Sequence, residues 1–410
     1  MTKEFLKRPF SRPLLLWSCG ILIQTYFHPG LFSYLLMLPP LLHLAISFAI
    51  SKKQEKEPSN RSRWTWGAVF SCIFLFTAIQ TTALHETLDH TKAATSQIEE
   101  WAQRARRKLT APIDKLNLPE KHKSVLATIT VGEKRNMSRD VKRQFSAVGL
   151  AHILSVSGFH VAIIGSFASL LLSPLKRNRA WKWVTLVITL SIVWTFAAIT
   201  GLAPPSVRAA FMLSLYLIGQ HISRTSEKYN TLFASAFCML AYNPFFLFDI
   251  GFQLSYISVA SIIYFYPRFR DLIKLRNPLL IAPWNAICIS LAAQIGTTIL
   301  CMYYFGQFSS VFLFSNLPIT FIASLLVPVT IILMFLPDGF LFYNIVQKIV
   351  EALCQSMMWI VETFSRVPGA TINFRFNFTT TLLSYFILIL CCILYSKICK
   401  PINVKQQDEN

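Results

Sequence analysis

Charged side chains are scarce here: 14% of the 410 residues, against about a quarter in an ordinary soluble domain. That shortage excludes a soluble globular enzyme of usual proportions, and 54% hydrophobic residues exclude a disordered chain. Glycine (14) and proline (20) are too few for a collagen-like or low-complexity architecture. The nine cysteines show no paired spacing, and most lie in apolar runs, such as Cys72, Cys238, Cys288, Cys301, Cys391 and Cys392. A disulfide framework or a zinc site is therefore not expected. No small-residue cleavage site follows Leu14–Trp17, so the first apolar run reads as a span and not as a removed signal. There is no P-loop and no convincing internal repeat.

What is present is apolar length. Phenylalanine alone occurs 34 times. Twelve stretches approach the roughly 20 residues needed to cross a bilayer: 13–28, 31–50, 64–84, 149–173, 181–201, 205–222, 230–244, 249–266, 280–304, 310–336, 340–364 and 380–399. The eleventh carries Asn344, Gln347, Lys348 and Glu351 and fits an interfacial position as well as a span. Lysine and arginine total 39 against 19 acidic residues, and most of the excess sets orientation. With twelve spans, the basic clusters around Lys3–Arg12, Lys52–Arg63, Lys176–Lys182, Arg224–Lys228, Arg268–Arg276 and Lys397–Lys405 all fall on one side. The alternate short loops carry none. The expected fold is thus an all-α polytopic membrane protein of about twelve transmembrane helices, with both termini cytoplasmic. Pro204-Pro205, Pro318 and Pro328 predict kinked or broken helices.

Residues 85–148 depart from this pattern. They fall on the outer side yet hold 13 basic and 8 acidic residues. Ile98, Trp101, Ala105 and Leu109 recur at helical spacing beside Arg104, Arg106, Arg107 and Lys108, which predicts a basic amphipathic interfacial helix. Such a helix serves either as a collar packed on the bundle or as a basic platform for a polyanion. Further helices are expected over Ser124–Thr130 and from Ser138 into the fourth span.

Polar residues inside the apolar runs are the candidates for function. His152, Ser157, Gly158 and His160 enter the fourth span. On one continuous helix the two histidines would stand about 12 Å apart along the axis, too far to share a metal. Ser157 and His160 can touch, and small residues here suit close helix packing equally. Arg208 opens the sixth span, Asp249 and Gln253 the eighth, Gln294 lies within the ninth and Asn316 in the tenth. Most of these fall toward the outer half, which suggests a polar vestibule.

Taken together, Gly149-Leu-Ala-His152, Ser157-Gly158-Phe159-His160, Pro205-Ser206-Val207-Arg208-Ala209-Ala210, Asn243-Pro244 and Phe248-Asp249-Ile250-Gly251-Phe252-Gln253-Leu254-Ser255 resemble the core of ComEC-type competence proteins. Val131-Gly132-Glu133-Lys134 and Ala293-Gln294 fit as well, and the resemblance runs from about 113 to 335. It implies a bacterial inner-membrane channel for uptake of single-stranded DNA, with no cofactor. It also implies separate partners: a DNA receptor, a nuclease, and a cytoplasmic motor or capture protein. Residues 85–148 look too short and too helical for the outward OB-like domain of the family. No His-x-His-x-Asp-His cluster marks a metallo-β-lactamase-like domain, so no nuclease activity is expected. The implied organisation is an N-terminal three-span segment (1–84), the outward basic segment (85–148), a channel core (149–336) and a C-terminal membrane segment (337–410). Other readings stay open: a small-molecule secondary transporter, or an intramembrane hydrolase built on Ser157 and His160.

Overall fold

A computed structural model describes residues 8–43, 60–87, 93–133, 137–177, 179–222 and 227–398. Lys134, residues 44–50 of the second apolar stretch and much of the basic clusters Lys3–Arg12, Lys52–Arg63 and Lys397–Lys405 lie outside these. The chain is an all-α membrane protein. Each of the twelve apolar stretches carries helix within the described residues. Six helices among them are long and apolar enough to cross a membrane: Trp66–Thr87, Trp181–Ile199, Ile250–Arg270, Leu280–Tyr304, Phe312–Phe335 and Phe378–Tyr395.

The first part of the chain forms α1 (Ser11–Phe27), a 3-10 segment (Gly30–Met37) and α2 (Asn60–Thr87). Trp17 and Ile21 of α1 pack with Ala78 of α2. They close a core with Leu240 of α9 (Lys228–Tyr242) and with Phe252 and Tyr256 of α10 (Ile250–Arg270).

A second core lies under the segment that follows. It contains α3 (Ala93–Asp114), α4 (Glu120–Val131) and α5 (Arg139–Ala147). Every residue of α4 from Ser124 to Val131 is buried. They pack against α6 (Gly158–Leu171), α7 (Arg179–Ile199), α12 (Phe312–Phe335) and α13 (Tyr343–Ser365). This segment is thus built into the bundle and not merely laid on it. Its helix α5 begins as expected, with the Ser138 hydroxyl accepting the Val141 N–H at 3.2 Å.

The chain does not run on from α5 into one continuous fourth span. Residues 149–157 form a turn, and α6 begins only at Gly158. The reason is local. Gly149 takes a left-handed φ of 77°. A Cβ there would stand 2.8 Å from the Phe312 ring, so the site tolerates only glycine. The turn is held from outside, because Ser309 donates to the Ala147 carbonyl (2.9 Å) and Ser315 to that of Val148 (3.0 Å). Ser309 ends β1 (Gln307–Ser309), which pairs antiparallel with β2 (Thr371–Asn373), a small strand pair that the sequence reading does not anticipate.

The prolines within the apolar helices do not break them. Helix α12 runs unbroken past Pro318 and Pro328, as does α10 past Pro267 and α11 (Pro278–Tyr304) past Pro283. Pro204 and Pro205 open α8 (Pro204–Ile222), where the missing N–H costs nothing. The eleventh apolar stretch becomes α13, which buries Val350, Cys354, Met357, Met358 and Val361 in the second core. Along it run three polar ties to the α3–α4 connection and the first turn of α4. Lys115 pairs with Asp338, just before α13. The Asn117 N–H donates to Glu351 at 2.8 Å, and Lys121 donates to Glu362 at 2.6 Å. The final helix is α14 (Phe378–Ile398).

Candidate functional site

The N-termini of α8 and α10 meet at one end of the bundle, because Arg208 Nη1 lies 3.2 Å from Asp249 Oδ1. Beside the α7–α8 turn at this end is a cavity of about 670 Å³. Four separate stretches wall it: Gln103 and Arg106 of α3, Gly132-Glu133 after α4, Ser155-Val156 of the turn before α6, and Thr200 to Pro205 between α7 and α8.

Arg106 enters this cavity because of its place on α3. The buried stripe of that helix is Ala102, Thr110 and Ile113, and Arg106 is four residues from both Ala102 and Thr110. Arg104, Arg107 and Lys108, at i, i+3 and i+4, form an exposed ridge. Trp101 joins that ridge at 47% exposure. The side chain of Ile98 lies outside the described ones. The four cations thus divide, three outward and one inward.

The Arg106 side chain is only 12% exposed, with Nε 3.8 Å from Glu133 Oε2. That nitrogen is buried and makes no hydrogen bond. Its guanidinium packs on Gly201, where φ is 77° and a Cβ would stand 3.0 Å from Nη1. Glu133 is held by the end of α4: its N–H reaches the Ala127 carbonyl at 3.3 Å, and its own carbonyl accepts the Thr128 hydroxyl at 2.7 Å. Thr200 donates to the Ala197 carbonyl and to Ser206, the latter at 3.3 Å, which pins the α7–α8 turn.

Next to the cavity wall, Ser157 caps α6 in extended backbone geometry. Its N–H donates to His160 Nδ1 at 3.1 Å, and its hydroxyl lies 3.0 Å from the same nitrogen. His160 is fully buried and its Nε2 has no partner. His152 sits in the exposed turn, its carbonyl accepting the Ser155 hydroxyl at 3.1 Å. Gly158 faces α8, where a Cβ would meet that of Ala209 at 3.4 Å, an ordinary contact.

The second polar group is carried by α8 and α10. Arg208 is 3% exposed, whereas the Asp249 side chain is 47% exposed. Asp249 Oδ1 also accepts the Phe252 N–H at 2.6 Å and so caps α10. Gln253 is fully engaged, donating to the Leu247 carbonyl (2.9 Å) and accepting the Tyr304 hydroxyl (2.8 Å). Asn316 joins α12 to α11, donating to Ser290 at 2.9 Å and accepting from Thr320 at 3.1 Å. Gln294 is half-buried on α11, and its carbonyl accepts the Thr298 hydroxyl. Among the described residues, no group of three His, Cys, Asp or Glu side chains converges.

The sequence reading passed over Gln103, Glu133, Thr200, Gly201 and Tyr304 as site residues. Glu133 carried a usable signal, a carboxylate directly after a glycine that ends an apolar helix. Tyr304 carried none.

The model of a family described as "Competence protein" matches residues 129–398. ComE operon protein 3 of Bacillus subtilis (strain 168) is 29% identical over 194 residues, which are 47% of this chain and 24% of that protein. Competence protein ComA of Neisseria gonorrhoeae is 24% identical over 146 residues, 34% of this chain and 21% of the relative. The uncharacterized protein YcaI of Escherichia coli (strain K12) is 24% identical over 187 residues, again 24% of its length. The matches therefore span about a quarter or less of these relatives. No solved structure matches. With well over half of its residues inside one family model, the chain belongs to the competence protein family.

Proposed function

We propose that the chain is the membrane conduit through which single-stranded DNA enters the bacterial cytoplasm. The observation that carries this reading is the cavity at the α7–α8 end: a nearly buried arginine faces it, and its walls include Gly132-Glu133 and Pro205 from two of the motifs that resemble competence proteins. A strand with one charge per nucleotide needs a wet entrance and fixed cations along it. The ridge of Arg104, Arg107 and Lys108 supplies attraction at the approach, and Arg106 a charge inside. The chain lets the strand pass without cutting it, so DNA recovered from binding assays stays intact. A receptor, a nuclease and a motor or capture protein are separate partners.

The test separates the two kinds of cation. Changing Arg104, Arg107 and Lys108 together to Gln should flatten the salt dependence of strand binding by a slope of about 2, at about 0.7 per phosphate contact. Arg106→Gln alone should cut uptake at least about tenfold, yet change that slope by less than about 1. Unchanged uptake in both variants, at normal protein levels, would sink the reading.

The orientation proposed with it puts this end outside, both termini in the cytoplasm of the inner membrane, and twelve helices across or into the bilayer. The side of the C-terminus depends on α13 crossing, because α12 is among the helices long and apolar enough to span and α13 is not. Reporter fusions within 52–60 and after Gln406 should both read as cytoplasmic. A periplasmic signal within 52–60 overturns the orientation, and one at the C-terminus alone removes a late span, 340–364 first.

The Ser157–His160 contact favours one other reading, an intramembrane hydrolase. Against it, Nδ1 already takes the Ser157 N–H, and no carboxylate is bonded to Nε2 to orient the ring. That geometry is a helix cap in which His160 occupies the third position.

A further inference from the structure

A second cavity, of about 410 Å³, lies at the opposite end of the bundle. Helix α10 starts beside Arg208 and runs 21 residues to Arg270, a rise of about 31 Å. The cavity forms where α10 ends, under the loop that leads to α11. Its volume falls in the range of small-ligand sites, about 300–1,000 Å³.

Its chemistry is mixed in a specific way. Two aromatic rings line it, Tyr266 and Trp284, together with Arg270 and Lys274. The Trp284 indole N–H donates to the Arg270 carbonyl at 3.2 Å and so pins the loop above the cleft. The Asn285 Oδ1 is buried with no hydrogen-bond partner. A buried acceptor left bare costs about 1–3 kcal/mol unless a donor arrives. The tyrosines nearby are occupied differently. Arg268 sits 3.7 Å over the Tyr264 ring and Arg8 4.4 Å over Tyr229. Arg270 stands 5.9 Å from the Tyr266 centroid and is paired instead with Asp271 at 2.9 Å. Tyr266 is thus the ring of the three left least covered by its arginine.

We propose that this cleft receives one nucleotide unit of a single strand leaving the conduit. An aromatic face suits a base of any identity. The bare Asn285 carbonyl suits an N–H on a base edge, and Lys274 suits the phosphate. The inference rests on the conduit reading and gives it an exit site, where a captured base holds the strand against return.

The test uses the full chain in lipid nanodiscs and a 15-nucleotide strand carrying 5-bromodeoxyuridine. After irradiation, crosslinks should map to peptides spanning 266–285. Tyr266→Ala should lower their yield about 5- to 100-fold, as expected for one lost base stack, and Tyr266→Phe should leave it within about twofold. Lys274→Gln, on an exposed loop, supplies a second variant should Tyr266→Ala fail to fold, and should lower the salt slope by about 0.7. A strand that binds but crosslinks elsewhere, with yields unmoved by either variant, overturns the exit site and leaves the conduit standing. No strand binding at low salt overturns both. A bromodeoxyuridine monophosphate that crosslinks here when the strand does not makes the occupant a free nucleotide, which also overturns the proposal.

Discussion

Asp249→Asn should destabilise the folded protein by about 3 kcal/mol, and Arg208→Gln added to it should restore most of the loss. Removing one member of a buried ion pair strands the other, at a typical cost of about 3–5 kcal/mol. Arg208 is the buried member, at 3% exposure. Asp249 is half exposed, so solvent screens the pair and the lower end of that range applies. The substitution is chosen because asparagine caps a helix about as well as aspartate. The bond to the Phe252 N–H therefore survives, and only the charge is lost. Asp249→Ala removes the cap as well and should cost about 1 kcal/mol more. Thermal unfolding of the four proteins in nanodiscs measures the cycle. Strict additivity of the two single changes would mean that the residues are not partners.

Gly296→Ala should destabilise by about 1–3 kcal/mol, the usual range for overpacking, and Ser261→Gly should rescue it. A methyl group on Gly296 would stand 2.8 Å from Ser261 Cβ and 3.2 Å from Ile257 Cγ2. No rotamer of Ser261 moves its Cβ away, so α10 and α11 would have to part. In a bilayer, helices associate through such close contact of small residues and not through a hydrophobic drive. The displacement would reach a third helix, because the Tyr385 hydroxyl of α14 donates to the Gly296 carbonyl at 2.9 Å. If the double variant melts no higher than Gly296→Ala alone, this crossing does not govern stability.

Apolar length was legible because it needs only local counting. The helix positions followed from it, down to Ser138 as a cap. The start of α6 was not legible, since Gly149 reads as an ordinary glycine until Phe312 and Ser309 are placed against it from 160 residues away. The same distance problem hid the cavity, which four stretches between Gln103 and Pro205 build together. Arg106 is an intermediate case. Its offset from Arg104, Arg107 and Lys108 on a helical wheel was readable, but counting the four as one basic cluster erased it. Trp101, exposed beside the cations, suits the interfacial helix that the spacing predicts, since amphipathic rings sit at wet surfaces.

The ties between α13 and the α3–α4 segment also set an order of assembly. Lys115 is made 223 residues before Asp338, and Lys121 is made 241 before Glu362. At about 5–20 residues per second of synthesis, the earlier partner waits roughly 10–45 s for the later one. During that interval Val125, Leu126 and Ile129 lack the α12 and α13 surfaces that later cover them. Until then the apolar face of α4 is left open, the kind of surface that chaperones and proteases recognise. It leaves their reach only when translation has passed Glu362, so a nonsense mutation late in the reading frame removes far more than the helices it deletes.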